Sequence, residues 1–279
     1  MHAEDAVHSV ATGHHGDPGG RRMSLRAAFD SDLTLHTLAI ALLIGVWWLS
    51  ASLFFSPLFF PTPDRVVVKA WYLLQDGSLL ENTWASVQRI LLGFLIGSAI
   101  GAPIGLTMGA FRRVHAIIDV YVEIFRFIPS IAWLTPAIIW FGIGETSKVF
   151  IIVYTTVFVV ILNTAVGVKN ISPDKINAAR SLGANRWQLF MLVIVPATVP
   201  FILTGMRLAM ANSFTTVVSA EMVAASHGLG YLIWSSRVYF ETDAIFVSMA
   251  MLGLLGFLAD RVFRIMTTRF ARRFHTHSD

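Results

Sequence analysis

The chain has 279 residues, of which 55% are apolar and only 14% charged, with a formal net charge of +4 and no cysteine. A soluble domain carries about a quarter charged residues, so an ordinary water-soluble protein is excluded. Disulfides, thiol catalysis and Cys-bound metals are excluded as well.

Residues 1–30 are polar and hold His2, His8, His14 and His15 without regular ligand spacing. They lack the charged-then-apolar layout of a signal peptide, so a disordered tail with no metal site is expected. Beyond them, six largely uncharged stretches approach the length of about 20 residues that crosses a hydrocarbon core. They are Leu33–Phe55, Ser86–Ala110, Ile117–Ile139, Val149–Val168, Leu192–Ala220 and Ile245–Met266. Spanning segments must satisfy their own backbone groups, and these runs lack the short alternating pattern of a barrel, so they are helices. The expected fold is all-α: a polytopic membrane protein over residues 31–270, ending in a short cytoplasmic tail at 271–279.

Six spans place both termini on one side. That side holds fourteen Lys and Arg residues, against only Arg65, Lys69, Lys148 and Arg237 on the other, so both termini are expected in the cytoplasm. The positive charge therefore reports topology, and no nucleic-acid partner is implied. Trp47, Trp48 and Trp71 suit interfacial anchoring or packing.

In the second span Gly93, Gly97, Gly101, Gly105 and Gly109 repeat every four residues, with Pro103 among them as an expected kink. Such a stripe lets another helix approach closely, either as fixed packing or as a sliding surface. Glu123 and Arg126 lie three apart on the third span, and Arg207 lies within the fifth. Charges in spans face cavities or partners, so these three form either a structural ion pair or part of a path for an anion. Asn163, Asn212, Ser213, Thr215 and Thr216 are weaker path candidates. Asp260 and Arg264 are spaced as a helix surface pair.

Between the fourth and fifth spans, residues 172–190 form an elbow. Ser172-Pro173-Asp174 is a helix start with a cap, a proline at the first position and a first-turn acid. Gly183 suits a left-handed stop, and Asn185 can cap a second short helix. The elbow is an ordinary connector or a docking lever. Its spacing decides between these: Asn177-Ala178-Ala179, three residues, Gly183, nine residues, then Val193-Ile194-Val195-Pro196. This resembles the signature of binding-protein-dependent importer permeases, with Asn177 where that pattern carries Glu. Further matches are Ser56-Pro-Leu-Phe-Phe-Pro-Thr-Pro63, Arg126-Phe-Ile-Pro129, Trp140-Phe-Gly-Ile-Gly-Glu-Thr-Ser-Lys148, Gly205-Met-Arg207, and Ala220-Glu221 with Gly228-Leu-Gly230. Over roughly Leu38–Arg269 the chain is similar to the nitrate, sulfonate, taurine and bicarbonate permeases, nearest to the taurine and aliphatic sulfonate members.

The resemblance implies the fold of a type I importer permease of the ATP-binding-cassette class, in a bacterial inner membrane. It implies a homodimer, two cytosolic ATPase subunits and a soluble binding protein on the outer face. Asn177, Ala178, Ala179, Arg180, Leu182, Gly183, Ala184 and Arg186 would couple to the ATPase. Glu221, Gly228 and Gly230 would lie at the outer gate. A small anion is the implied cargo: taurine or another sulfonate first, with nitrate, bicarbonate or an aromatic carboxylate as alternatives. No phosphate-binding Gly-x4-Gly-Lys-Ser/Thr loop is present, so no cofactor is expected in this chain, and ATP and Mg belong to the partner ATPase. An ion-driven transporter is the alternative, but such proteins carry acids at mid-membrane and paired halves, and here only Glu123 lies well inside a span.

Overall fold

The computed structural model describes residues 32–272. The polar leader with its histidines and the residues after Arg272 lie outside the described residues. The described residues fall into two units, one up to Ser50 and one from Ala51 on. The first contains most of α1 (Asp32–Leu53), whose apolar part, Thr37–Leu53, is shorter than the four candidate spans of the second unit. Its length is close to the lower limit of about 17 residues for a crossing.

The second unit is helical. In order come α2 (Pro63–Gln75), α3 (Ser78–Ala110), α4 (Arg112–Arg126), a 3-10 turn (Ser130–Trp133), α5 (Leu134–Phe141) and α6 (Glu145–Lys169). Then follow α7 (Pro173–Ser181), α8 (Arg186–Gln188), a π turn (Leu189–Ile194), α9 (Val195–Ala224), α10 (Leu229–Val238) and α11 (Thr242–Arg272). Among the described residues, α3, α6, the continuous stretch Arg186–Ala224 and α11 are each long and apolar enough to cross a membrane.

The third expected span, Ile117–Ile139, is not one straight helix. Its two limbs, Arg112–Arg126 and Ser130–Phe141, meet at 91°. Pro129 stands at the corner: it supplies no N–H and biases Ile128 away from helical geometry. If the limbs are one broken span, five crossings follow besides α1. Two further helices lie between the expected spans. Pro63 and Asp64 start α2 with the proline and acid favoured there, and α10 follows Gly228. In the link between α2 and α3, hydrogen bonds from Ser78 hold the Asp76 carboxyl below its ordinary pKa.

The core is the contact of α3, α6 and α9. α3 and α6 run parallel and in register, because a Cβ added at Gly93, Gly97, Gly105 or Gly109 would lie 2.5–2.6 Å from Ile152, Thr156, Thr164 or Val168 in turn. Each step of four on one helix meets a step of four on the other. At Gly101 the carbonyl of Val157 lies 2.9 Å from the same position. The glycines therefore let two backbones meet where side chains would hold them apart. This favours fixed packing over sliding, since every glycine faces a side chain or carbonyl locked in its groove. α9 runs antiparallel to α6, with Gly205 against Asn163 and Gly167 against Phe201. Ile90, Phe94, Ile152, Val160, Ala209, Met210 and Val217 fill the centre, and Phe263 of α11 packs from outside. α3 continues through Pro103.

Candidate functional site

The sequence-selected residues fall in three places: the elbow, a cavity at the broken span, and a buried ionic cluster. Because α6 runs from the cluster to the elbow and α9 runs back, these two features lie at opposite ends of the pair. A helix of the length of α6, 25 residues, separates them by roughly 37 Å.

The elbow is shaped by its own caps. Ser172 Oγ accepts from the Asp174 N–H, and Pro173 occupies the first turn of α7. At its other end Gly183 takes φ +81°, its N–H donates to the Arg180 carbonyl, and the Ala184 N–H donates to that of Ala179. That pair of bonds closes a helix on a left-handed residue, where glycine carries no Cβ penalty. Asn185 and Gln188 then exchange side-chain-to-backbone bonds of 2.9 Å at the start of α8. The outcome is a rigid corner that holds apolar side chains in solvent: Leu182 is 88% exposed and Trp187 67%. Asn177, Ala178, Arg180, Gly183 and Arg186 are exposed beside them, while Ala179 and Ala184 are half-buried. The π turn leads directly to Pro196, whose ring would clash with the carbonyl four residues back in a regular helix. The corner is thus continuous with α9.

At the 91° break lies an open cavity of about 330 Å³ lined by Arg126, Ser130, Tyr154, Thr155 and Asn212 with apolar neighbours. The Arg126 guanidinium sits 4.4 Å from the centre of the Phe127 ring. Tyr154 donates its hydroxyl proton to the Phe125 carbonyl, which pins the end of α4. Of the eight path candidates named from the sequence, only Arg126 and Asn212 share this cavity. Thr216 is buried behind it, 3.3 Å from Thr155 Oγ1. Ser213 is buried between α6 and α9, donating to the Ala209 carbonyl and lying 3.3 Å from Thr156 Oγ1.

Glu123 is exposed on α4 and has no ion-pair partner among the described residues, so the anticipated pair with an arginine is not formed. Arg207 instead pairs with Asp260 of α11 through two bonds of 2.6 and 3.0 Å, and Asp260 also meets Arg264 at 3.4 Å. The reason is register: Arg207 lies on the face of α9 turned to α11, whereas Asn212, five positions on, faces the broken span. Neutralising Asp260 alone (Asp260→Asn) is expected to lower the melting temperature of the purified protein. Adding Arg207→Gln should recover part of the loss, because the Arg207 charge is no longer left without its carboxylate. A double variant less stable than either single one would count against the pair. A larger cleft of about 510 Å³ between α3, α9 and α11 has apolar walls, Phe94, Met210, Phe214 and Phe263 among them, and offers an anion nothing.

The ionic cluster gathers residues that sequence reasoning selected and others that it passed over. Glu221 is fully buried near the end of α9. Its carboxylate accepts from Ser86 Oγ at 2.8 and 2.9 Å, from Arg89 Nη1 at 2.7 Å and from the Gly230 N–H at 2.8 Å. Arg89, 5% exposed, also donates to both oxygens of Glu145 at 2.5 and 2.8 Å and to the His227 carbonyl at 2.6 Å. Lys148, 3% exposed, reaches Glu145 at 2.9 Å. Asn82 and Ser86 accept from the N–H groups of Gly228 and Leu229. Gly228 has φ +131°, and a Cβ there would lie 2.3 Å from the Glu221 carboxyl carbon, so only glycine fits. Three donors, Ser86, Arg89 and the Gly230 N–H, thus meet the Glu221 carboxylate, which is what keeps buried charge tolerable. Arg89, Glu145, Lys148, Asn82 and Ser86 were not selected from sequence. The available signal was Arg89 itself, a charge at the edge of an otherwise apolar span.

Comparison with known proteins extends these observations. Residues 93–276 match the family model described as "Binding-protein-dependent transport system inner membrane component". The chain is 36% identical over 256 residues to the taurine transport system permease protein TauC of Escherichia coli, covering 89% of this chain and 93% of that protein. It is 36% identical to the putative aliphatic sulfonates transport permease protein SsuC of the same organism, covering 78% and 83%. It is 30% identical to the nitrate import permease protein NrtB of Leptolyngbya laminosa, covering 83% and 85%. In fold it is similar to a chain of the MetNI methionine ABC transporter, with a TM-score of 0.61 at 18% identity, covering 73% of this chain and 96% of that one. The chain therefore belongs to the family of binding-protein-dependent inner-membrane components: it is a multi-pass permease subunit of an ATP-binding-cassette importer, served by a separate ATPase and a binding protein and not itself the ATPase.

Proposed function

We propose that this permease carries a small organic or inorganic anion inward by alternating access, with taurine or another sulfonate as the leading cargo. One observation carries the reading: the exposed guanidinium of Arg126 stands in a cavity with Ser130, Tyr154, Thr155 and Asn212, at the point where the third span breaks. A cation among hydroxyl and amide groups suits an oxyanion that has shed its water. The names of the taurine, sulfonate and nitrate relatives support the same class. Nitrate, bicarbonate and aromatic carboxylates fit the same groups. Glu123, Arg207, Ser213 and Thr216 then serve as supports of the path's walls.

The working assembly is a homodimer with two ATPase subunits, which hold ATP and Mg, and an outer binding protein. Both termini lie in the cytoplasm, as the distribution of Lys and Arg favours. Asn177, Ala178, Ala179, Arg180, Leu182, Gly183, Ala184 and Arg186 form the lever that meets the ATPase, supported by the exposure of Leu182 at a rigid corner. Glu221, Gly228 and Gly230 belong to the outer gate, supported by their place at the end of α9 opposite the elbow.

The test is to express the permease with its genomic ATPase and binding-protein neighbours and to screen ligands on that binding protein. A sulfonate or another small anion is expected, and a neutral or cationic ligand would remove the role given to Arg126. In proteoliposomes, Arg126→Gln is expected to slow uptake of that ligand by roughly 10- to 100-fold, the worth of a hydrogen bond to a charged group. Assembly with the ATPase should be unaffected, since Arg126 makes no ion pair in the described residues.

A further inference from the structure

Arg89 touches three separate outer segments with one planar group. Its Nε and Nη2 hold Glu145, the first residue of α6, while its Nη1 holds Glu221 near the end of α9 and the His227 carbonyl in the link to α10. Glu145 directly follows Gly142-Ile143-Gly144, the link from α5, the second limb of the broken span. Gly142 has φ +79°, a turn that favours glycine, and no side chain packs on the Cβ position of either glycine. On the other side, Ser226 and His227 are exposed, and His227 Nδ1 lies 3.2 Å from Glu81 Oε1. Arg89 joins that exposed tip to the Glu145 end of α6 by hydrogen bonds, beside the apolar packing of Ala220 and Ala224 on Leu134 and Ile151.

We infer that Arg89 is a positioning residue that locks the His227 loop to the Glu145 end of α6, so that the outer side opens only when both move together. The guanidinium is 5% exposed and Glu221 is fully buried, so parting them leaves buried charge without a partner. A push on the loop must therefore break the Arg89 bond to the His227 carbonyl and strain its pair with Glu221. A loaded binding protein landing on the outer face supplies that push; without it the permease stays closed outside, and ATP closure of the partner subunits is held back. Arg89 thereby makes ATP turnover depend on the binding protein. The inference rests on the topology proposed above, which puts the cluster outside.

The experiment measures ATP turnover of the permease–ATPase complex in nanodiscs with no binding protein present, so no ligand need be known. Arg89→Gln is expected to raise this basal rate about tenfold, within the usual range of coupling between sites, and to lessen further stimulation by the binding protein. Arg89→Lys, which keeps the charge but cannot reach all partners at once, should fall between the two. A basal rate equal to wild type in an assembled Arg89→Gln complex would overturn the inference. If that variant fails to assemble, Glu145→Gln decides instead: it loosens only the hinge-side contact of a carboxylate that is 62% exposed, and leaves Arg89 paired with Glu221. An unchanged basal rate there overturns the inference equally. Because the chain has no cysteine, Ser226→Cys alone reports topology with an impermeant thiol reagent on intact cells. Labelling is expected; its absence would overturn the topology and the inference built on it, whereas labelling with an unchanged basal rate would overturn the inference alone.

Discussion

Gly97→Leu is expected to prevent accumulation of folded permease in the membrane. Even a lone Cβ at this position would lie 2.6 Å from Thr156 Cβ and 3.0 Å from the Val153 carbonyl. Neither is the far end of a flexible side chain: one belongs to a β-branched residue fixed on α6 and the other is backbone. Adding one carbon to such an interface costs about 1–3 kcal/mol, and a leucine adds four. Gly97→Ala should therefore fold but melt at lower temperature, as followed by tryptophan fluorescence in detergent. Thr156→Gly in the same chain should return part of that loss, and the cycle of four proteins isolates the contact. If Gly97→Ala melted like wild type and transported normally, α3 and α6 would not be in this register. If it melted alike but slowed transport, the sliding reading of the glycine stripe would be restored.

Leu182→Asp is expected to leave the isolated permease as stable as wild type while cutting binding-protein-stimulated ATP turnover more than about 30-fold. The two halves of this prediction have different causes. Leu182 is 88% exposed, and exposed substitutions usually stay within about 0.5 kcal/mol. An apolar side chain held on a capped corner in water is suited to fill a partner's pocket, and such anchors carry about 2 kcal/mol or more. Turnover of the assembled complex and the melting point of the permease alone separate the two effects. Gly183→Val tests the shape of the corner apart from its contact, because no atom lies within 4 Å of its Cβ position and only the φ of +81° resists the side chain. Normal stimulation in Leu182→Asp would remove the elbow from the coupling.

How far each feature was legible depends on whether its cause is local. The elbow was legible because caps, prolines and glycines act within a few residues: Ser172, Pro173, Gly183 and Asn185 each set their own backbone. The glycine stripe could be seen, but not what it meets, since nothing in residues 93–109 names Ile152 or Thr164. The break at Pro129 lay within a run whose apolarity read as one span, because hydropathy measures affinity for lipid and not direction. The polar residues were the hardest. Glu123 and Arg126 have the spacing of a pair and do not form one, while Arg207 and Asp260, 53 positions apart, do.

The sequence by itself determined that this chain crosses the membrane, where most crossings lie, and how the elbow turns, because composition and capping are properties of neighbours along the chain. Only the tertiary structure decided which charges meet. Arg89 finds Glu145 and Glu221 across 56 and 132 positions, and Arg126 comes beside Asn212 only through the bend in the third span. A buried charge needs partners from every side, and those sides belong to different helices, so its partners exist only after the helices have packed.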